Sequence, residues 1–391
     1  MTENVLVTGG AGFIGSHLVD RLTAEGYRVR VIDNLDEQVH GELSKEELWP
    51  AYRNEQVEYV LGDVRDKEAL RRVLNGIDVV FHLAAKVGVG QSMYDVRRYI
   101  DVNVGGTANL LDVIVNDASI RDRIRKLIVA SSMSNYGEGT YDCPVHGVQY
   151  PPLRPLKQLN KHQWELRCHA VIVQGNSGQE VGRCQEILVP RPTRESKPMV
   201  TNSVYGISKK TQEELCLTVG EAYGISTVAL RYFNTYGTRQ ALSNPYTGVV
   251  AIFASRLLNR QAPVIFEDGH QIRDFIHVSD LVKANILVMN NQEATGIYNV
   301  GSGHPVTIQE IAKSVIDHMD SSLEPEIIDT YRKGDIRHCY ADIGRLAALG
   351  FKPEYTFEKG IAETVEWVRT QVSSDDFEKM KEDLAKRGLT I

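Results

Sequence analysis

The chain has 391 residues, of which 42% are hydrophobic and 24% charged, and its formal net charge is -7. That length exceeds one minimal domain and suits two, or one large α/β domain with an elaborated partner. The acidic balance argues against a general nucleic-acid or membrane-surface binder, while leaving room for local positive pockets.

In chain order, "MTENVLVTGG" runs straight into an apolar strand with no signal-peptide core, and nowhere does an apolar run reach membrane-span length. Strand, glycine turn and helix follow one another in "NVLVTGGAGFIGSHLVDRL". Gly10, Gly12 and Gly15 satisfy G-x-G-x-x-G, and Gly9, Gly12 and Gly15 give G-x-x-G-x-x-G. Without Cβ atoms there, backbone N–H groups can approach a pyrophosphate at the helix start, which falls at Phe13 and Ile14. The second strand, "RVRVIDN", ends in Asp33 and Asn34. A carboxylate in that place accepts hydrogen bonds from ribose hydroxyls and repels a 2′-phosphate, so the expected cofactor is NAD and not NADP. "VEYVLGD" ends at Asp63 and Val64, placed to frame the adenine, and "DVVFHLA" delivers Leu83, Ala84 and Ala85 to the same edge. Between the strands, "DKEALRRVLNG" and "GTANLLDVIVNDA" carry apolar residues at helical spacing. Alternating βα units predict an α/β fold, a Rossmann-type doubly wound parallel sheet with its ligand crevice beyond the carboxyl ends of the strands.

A fifth strand, "KLIVASS", brings serines to that crevice. Residues 138–200 then break the rhythm with Pro144, Pro151, Pro152, Pro155, Pro190, Pro192 and Pro198, three of the five cysteines and no long periodic segment. They read as a surface insertion near the crevice, serving as a lid, an oligomer contact or a metal knuckle. Cys143 and His146 form C-x-x-H, and Cys168 and Cys184 complete four ligands for a structural zinc, although the spacing after Cys168 is loose. A loop of reduced, partly buried cysteines accounts for the same residues, and the expected chemistry needs no metal. Five scattered cysteines and no export signal point to a reduced, cytoplasmic setting.

The α/β pattern resumes at "SVYGISKK", where Tyr205 and Lys209 stand four apart on one helix face. A tyrosine of ordinary pKa, ~10, is a poor base at neutral pH. A neighbouring ammonium, and a nicotinium ring if NAD is bound, stabilise its phenolate. After the strand "STVALRYFN" the chain becomes more mixed, with "TGVVAIFASRLLNR" as a helix, "PVIFED" as a strand and residues 372–391 as a polar C-terminal helix.

The segments "TGGAGFIGSHL", "FHLAA", "ASSMSNYGEG", "YGISK", "LRYFNTYGTRQ", "RDFIHVSDLVKA", "YNVGSGHPVTIQEIA" and "RKGD" occur in an order that resembles the extended short-chain dehydrogenase/reductase family, particularly its nucleotide-sugar 4-epimerases. The resemblance covers nearly the whole chain outside the insertion. It implies an NAD-binding Rossmann domain over 1–237, with 138–200 inserted, and a smaller mixed α/β domain for the nucleotide sugar over 238–391, with segments returning to the first. It implies Ser132 as the hydroxyl that binds the sugar oxygen, Tyr205 as acid/base, Lys209 on the nicotinamide ribose, and Asn103 supporting that lysine and the cofactor. On the substrate side it implies Ser134 at the sugar, Asn234, Arg273 and Arg332 on the diphosphate, and Asp335 on the nucleotide ribose. Ile265 or Phe266 would then pack near the base.

Relatives that dehydrate the sugar follow the hydroxyl residue with Asp-Glu, whereas Met133 and Ser134 stand here, which disfavours elimination. The expected function is therefore 4-epimerisation of a dTDP- or UDP-hexose. "VGVGQSMYD" and "NPYTGVVAIFASRLLN" resemble the subgroup acting on dTDP-L-rhamnose. The alternatives are UDP-glucuronate decarboxylase or sugar 4,6-dehydratase activity on the same scaffold, and a non-catalytic NAD-sensing protein. A homodimer without nucleic-acid or membrane partners completes the expectation.

Overall fold

The computed structural model describes residues 3–41, 48–174, 179–246 and 248–390. Strands β1 (Asn4–Thr8), β2 (Arg28–Asp33), β3 (Glu58–Leu61), β4 (Val79–His82) and β5 (Lys126–Ser132) occupy the expected segments. They alternate with helices that include α1 (Phe13–Ala24), α2 (Lys67–Leu74) and α3 (Gly106–Asn116). Side chains alternate across a strand, so β1 sends Val5 and Val7 into one helical layer and Leu6 into the other. Strands β4 and β5 are buried along their whole length and have no polar face to show, which is why VVFH and LIVA read as near-continuous apolar runs. Asp66 starts α2 by accepting hydrogen bonds from the N–H groups of Glu68 and Ala69. By contrast Gly12, which starts α1, offers no side-chain cap, so the first N–H groups of that helix stay available.

The insertion has a structure of its own. It contains β6 (Thr140–Cys143), β7 (Gly147–Gln149), β8 (Val171–Gln174), β9 (Gln179–Arg183) and β10 (Val189–Arg191), while 175–178 lie outside the described residues. The strands form an antiparallel sheet of order β10-β6-β7 and a separate β8–β9 hairpin. The segment expected as a surface insertion near the crevice thus carries short strands and a buried centre of its own. Tyr141, Cys143, Leu166, Cys168, Cys184 and Leu188 form a small core, and Glu138, Glu195 and Lys197 at its roots are buried. Strands of three to five residues are too short to register as a periodic pattern among so many prolines.

Next come α4 (Val204–Tyr223), β11 (Ser226–Tyr232), β12 (Asn234–Tyr236), α5 (Val249–Leu258), β13 (Val264–Ile265) and β14 (Ile272–His277). They are followed by α6 (Val278–Asn290), β15 (Gly296–Val300), β16 (Pro305–Thr307), α7 (Ile308–His318), β17 (Glu326–Ile327) and β18 (His338–Cys339). Helices α8 (Phe357–Val368) and α9 (Phe377–Lys386) end the chain. The Ser203 hydroxyl caps α4 by accepting from Gly206 N–H, and Gly224 closes it at φ +68°, a conformation that a side chain disfavours.

The parallel central sheet runs β15-β11-β5-β4-β1-β2-β3, so strand order reverses between β4 and β1 and opens a crevice there. A second, mixed sheet of order β12-β14-β16, with β18 also on β14, packs against α5, α7 and α8. Strand β12 precedes residue 237 yet pairs with β14, and β15 follows it yet pairs with β11, so the chain crosses between the layers more than once. The polar C-terminal helix is α9, but one of its faces is apolar: Phe377, Met380 and Leu384 are buried against Val264 and Phe266. Among the described residues no helix is long and apolar enough to cross a membrane.

Candidate active site

The carboxyl ends of the central strands open into a cavity of about 680 Å³ that continues to the smaller sheet and α9. At its first end lie Gly9, Gly12, Phe13, Ile14 and Gly15. A Cβ on Gly15 would stand 2.2 Å from the Gly9 carbonyl oxygen, and Gly9 has φ +72° with Ala84 backbone 2.9 Å from its would-be Cβ. Those two glycines are demanded by the turn itself. Gly12 is different, because a Cβ there would meet only the Gly9 oxygen at 3.4 Å. The turn has room for a methyl group at Gly12, so the open approach to the uncapped helix is not demanded by packing and suits an anionic ligand.

Asp33 ties this turn to the end of β2. Its Oδ2 accepts from Ala11 N–H at 3.0 Å and its Oδ1 from Leu35 N–H at 2.9 Å. Asn34 donates to Asp63 at 2.8 Å, and Arg65 forks onto the same carboxylate at 2.9 and 2.8 Å. Burial works against ionisation of Asp63, but the bonds from Arg65 and Asn34 outweigh it and hold its pKa at about 2. Val64, Leu83, Ala84 and Ala85 line the cavity as expected. Asn103 does not. It is fully buried inside a π-helical turn, Ile100–Gly105, where its amide bonds the Lys86 backbone and donates to Ser208 Oγ at 2.9 Å. Asn103 therefore lies one layer behind the cavity wall, where its bond to Ser208 steadies α4.

Ser132 at the tip of β5 and Tyr205 and Lys209 on α4 meet in the middle of the cavity. The Tyr205 N–H is held by Ser92 Oγ at 3.0 Å, and its ring packs edge-on against Tyr99. Burial pushes the Tyr205 phenol up to about 12, with the Ser132 side chain pulling the other way. Burial pushes the Lys209 ammonium down to about 7. Lys209 Nζ donates to the Ala130 carbonyl at 2.8 Å and to Gln212 Oε1 at 2.9 Å. Gln212 in turn donates to Thr107 Oγ1, which also bonds His82 Nε2. The side chains alone thus keep Tyr205 protonated, and a base at this position requires additional positive charge beside it. A dinucleotide carrying a nicotinium ring supplies charge of that sign, and the glycine turn, the Asp33 carboxylate and Lys209 together fit such a group.

The far end of the cavity holds the expected substrate residues. Arg273 donates to the backbone carbonyls of Ile272 and Arg337 at 2.9 Å and of Ile336 at 2.7 Å, none of which neutralises its charge. Arg332 pairs with Asp335 at 2.9 Å and lies 4.6 Å over the Phe266 ring. Ser134, Asn234 and Ile265 also line the wall, with Ser132 Oγ donating to Ser134 Oγ at 3.1 Å. The Oδ1 of Asn234 and the Oε1 atoms of Gln240 and Gln271 are buried without a protein partner on this same wall. A buried unpaired acceptor costs about 1–3 kcal/mol, so these three oxygens are points of unmet hydrogen bonding in the residues that line the cavity. Gln240, Gln271 and the α9 residues Phe377 and Leu384 were not legible in the sequence, since no motif distinguishes them.

Among the described residues five carboxylates line the cavity: Asp33, Asp36, Asp63, Glu267 and Asp335. Asp36 pairs with Lys86 and Arg98, Glu267 with Arg154 and Arg337, and the others are bound as described. None is free beside Ser132 and Tyr205. Away from the cavity, the sulfur atoms of Cys143, Cys168 and Cys184 and a ring nitrogen of His146 converge within 4.8 Å of one another.

Residues 5–163 and 154–301 match the sequence pattern of the NAD dependent epimerase/dehydratase family, and the chain belongs to it. It is 33% identical to a dTDP-L-rhamnose 4-epimerase of Burkholderia thailandensis over 95% of its length and 96% of the relative. Its fold is similar to a UDP-N-acetylglucosamine 4-epimerase from Methanobrevibacter ruminantium solved with UDP-N-acetylmuramic acid, with a TM-score of 0.71, 33% identity and coverage of 95% and 100%. A Thermus thermophilus UDP-glucose 4-epimerase solved with NAD has a TM-score of 0.70 at 29% identity, with coverage of 94% and 100%.

Proposed function

We propose that this chain is an NAD-dependent nucleotide-sugar 4-epimerase that inverts C4 of a dTDP- or UDP-hexose, with dTDP-L-rhamnose as its substrate. The observation that carries the reading is the reaction corner. Ser132, Tyr205 and Lys209 line it together, and among the described residues every cavity carboxylate is bound to a partner of its own, leaving none free to protonate a leaving hydroxyl or remove a C5 proton. The substrate assignment rests on the Burkholderia relative.

In this reading the glycine turn with Phe13 and Ile14 holds the pyrophosphate of NAD, Asp33 and Asn34 its adenosine ribose, and Asp63 and Val64 its adenine. Leu83, Ala84 and Ala85 flank the path toward Lys209, which holds the nicotinamide ribose. Bound there, NAD would supply a reversible hydride acceptor for C4, and return of the hydride to the opposite face of the sugar would invert that carbon. Tyr205 removes the O4 proton as that hydride leaves and gives it back at the end, while Ser132 fixes O4 and Ser134 a neighbouring sugar hydroxyl. Asn234, Arg273 and Arg332 hold the diphosphate, Asp335 the nucleotide ribose, and Ile265 with Phe266 the base. One proton and one hydride leave and return, so the product has the mass of the substrate and no external reductant is used.

Incubation with a panel of dTDP- and UDP-sugars, read by mass spectrometry and NMR, tests this. An isobaric C4 epimer is expected, whereas loss of water or carbon dioxide would assign the dehydratase or decarboxylase activity instead. NAD retention without turnover of any sugar would return the chain to an NAD-sensing role. Denatured protein should release NAD and not NADP. The reading includes a homodimer, testable by light scattering, and a cytoplasmic setting, supported by five free cysteines.

A further inference from the structure

We propose that Cys143, His146, Cys168 and Cys184 bind a structural zinc ion that holds the 138–200 insertion together. Cys143 Sγ lies 3.5 Å from His146 Nδ1 and 3.9 Å from Cys184 Sγ, and Cys168 Sγ lies 3.6 Å from the same nitrogen. A tetrahedral zinc has Zn–S bonds of about 2.3 Å and Zn–N bonds of about 2.0–2.1 Å, which set S···S edges of about 3.8 Å and S···N edges of about 3.6 Å. The three separations are those edges. A disulfide is a different geometry, since its sulfurs stand about 2.05 Å apart. Three thiols and one imidazole make a closed donor set, with no position left for water.

The backbone explains how distant residues form one site. Cys143 ends β6 and pairs with Gly147 across a tight turn, where Gly147 takes φ +65°, so C-x-x-H presents both donors together. Cys168 and Cys184 stand at the foot of the β8–β9 hairpin, which Cys184 N–H closes onto Ala170 and Cys168 N–H onto Glu186. The loose spacing between them is the length of that hairpin. Half of the insertion's small core consists of the three cysteines themselves, too little apolar surface to order the segment unaided.

Between the two donor pairs in sequence lie Arg154 and Glu165. Arg154 forks onto Glu267 at 2.9 and 2.8 Å, and Glu165 accepts from Arg337 at 3.0 and 2.5 Å. Glu267 follows Phe266, and Arg337 follows the segment bearing Arg332 and Asp335. The ion therefore orders a piece of chain that backs the far wall of the cavity, without reaching the reaction corner.

Metal analysis of the full chain, purified without chelator, is the direct test. About one zinc per chain is expected, falling below ~0.1 in Cys143→Ser and Cys168→Ser, while His146→Cys keeps the metal. Cobalt(II) exchanged into the site should give the intense visible absorption of a tetrahedral thiolate complex. Stripping zinc should open the insertion to limited proteolysis before the rest of the chain. Wild-type protein with less than ~0.1 zinc per chain, or full zinc in both serine variants, overturns the site. Activity lost on chelation with the proteolysis pattern unchanged overturns its structural role.

Discussion

Gly12 and Gly15 belong to one turn and answer differently to a single methyl group. Gly12→Ala places its Cβ 3.4 Å from one carbonyl oxygen, so the variant should fold with a melting temperature near that of the wild type. It should nonetheless lose bound NAD, measured as cofactor released on denaturation, because the methyl group occupies the approach to the helix start. Gly15→Ala drives its Cβ to 2.2 Å from the Gly9 oxygen and should be destabilised by ~1–3 kcal/mol or more. Equal stability of the two variants would remove the distinction. Tyr205 gives the second residue-scale prediction. As proposed base it must be a phenolate, and burial raises its pKa, so turnover should rise with pH and level off above that pKa, which positive charge beside the ring lowers. Tyr205→Phe should lower turnover by ~100-fold or more, abolish that rise and retain NAD. These residues were legible because their chemistry is written in local spacing. The place of Asn103 behind the wall, and those of Gln240 and Gln271 upon it, could not be read from spacing because they depend on a π-helical turn and on packing between layers.

At the scale of elements, the central strands and their helices could be read from apolar runs, and the insertion could not, because its strands are too brief to show alternation. The end of β4 also carries a consequence invisible in a pattern. His82 is fully buried between Thr8 and Thr107, at 2.8 Å from one hydroxyl and 2.9 Å from the other. Thr107 already donates to the Asn103 carbonyl at 2.5 Å, so it accepts from His82 Nε2–H, and Nδ1 accepts from Thr8. Burial, with the Lys209 charge adding to it, pushes the His82 pKa down to about 3 and keeps the ring neutral. Unfolded, the ring titrates near ~6.5. The folded state therefore has its full stability above ~6.5 and loses it as pH falls toward 3, by up to about 1.4 kcal/mol per pH unit from this ring. His82→Gln should be less stable than wild type at pH 7, with a gap that narrows by pH 5 in denaturant unfolding. A gap independent of pH would mean that His82 does not titrate on unfolding.

Across the whole molecule, β11 and β12 are separated only by Phe233, so one stretch of chain leaves the central sheet and enters the smaller one beside the reaction corner. That crossing makes a single cavity out of two layers, and it was not legible from sequence, where residues 1–237 read as one unit. A single cavity lets sugar and cofactor share one space, so in the proposed reaction the hydride taken from C4 is returned to C4. Substrate deuterated at C4 should therefore give epimer that keeps its deuterium at C4. Dehydration would instead carry that deuterium to C6, since elimination across C5–C6 leaves an acceptor carbon there. The reverse labelling is equally telling. In heavy water no deuterium should enter any carbon–hydrogen bond, because Tyr205 as the proposed base exchanges only an oxygen-bound proton and, among the described residues, each carboxylate on the cavity wall is held by its own partners. Solvent deuterium at C5, detected by NMR of the product, would show a base acting on carbon and would exclude simple 4-epimerisation. Retention at C4 together with a silent C5 is what this arrangement of side chains requires.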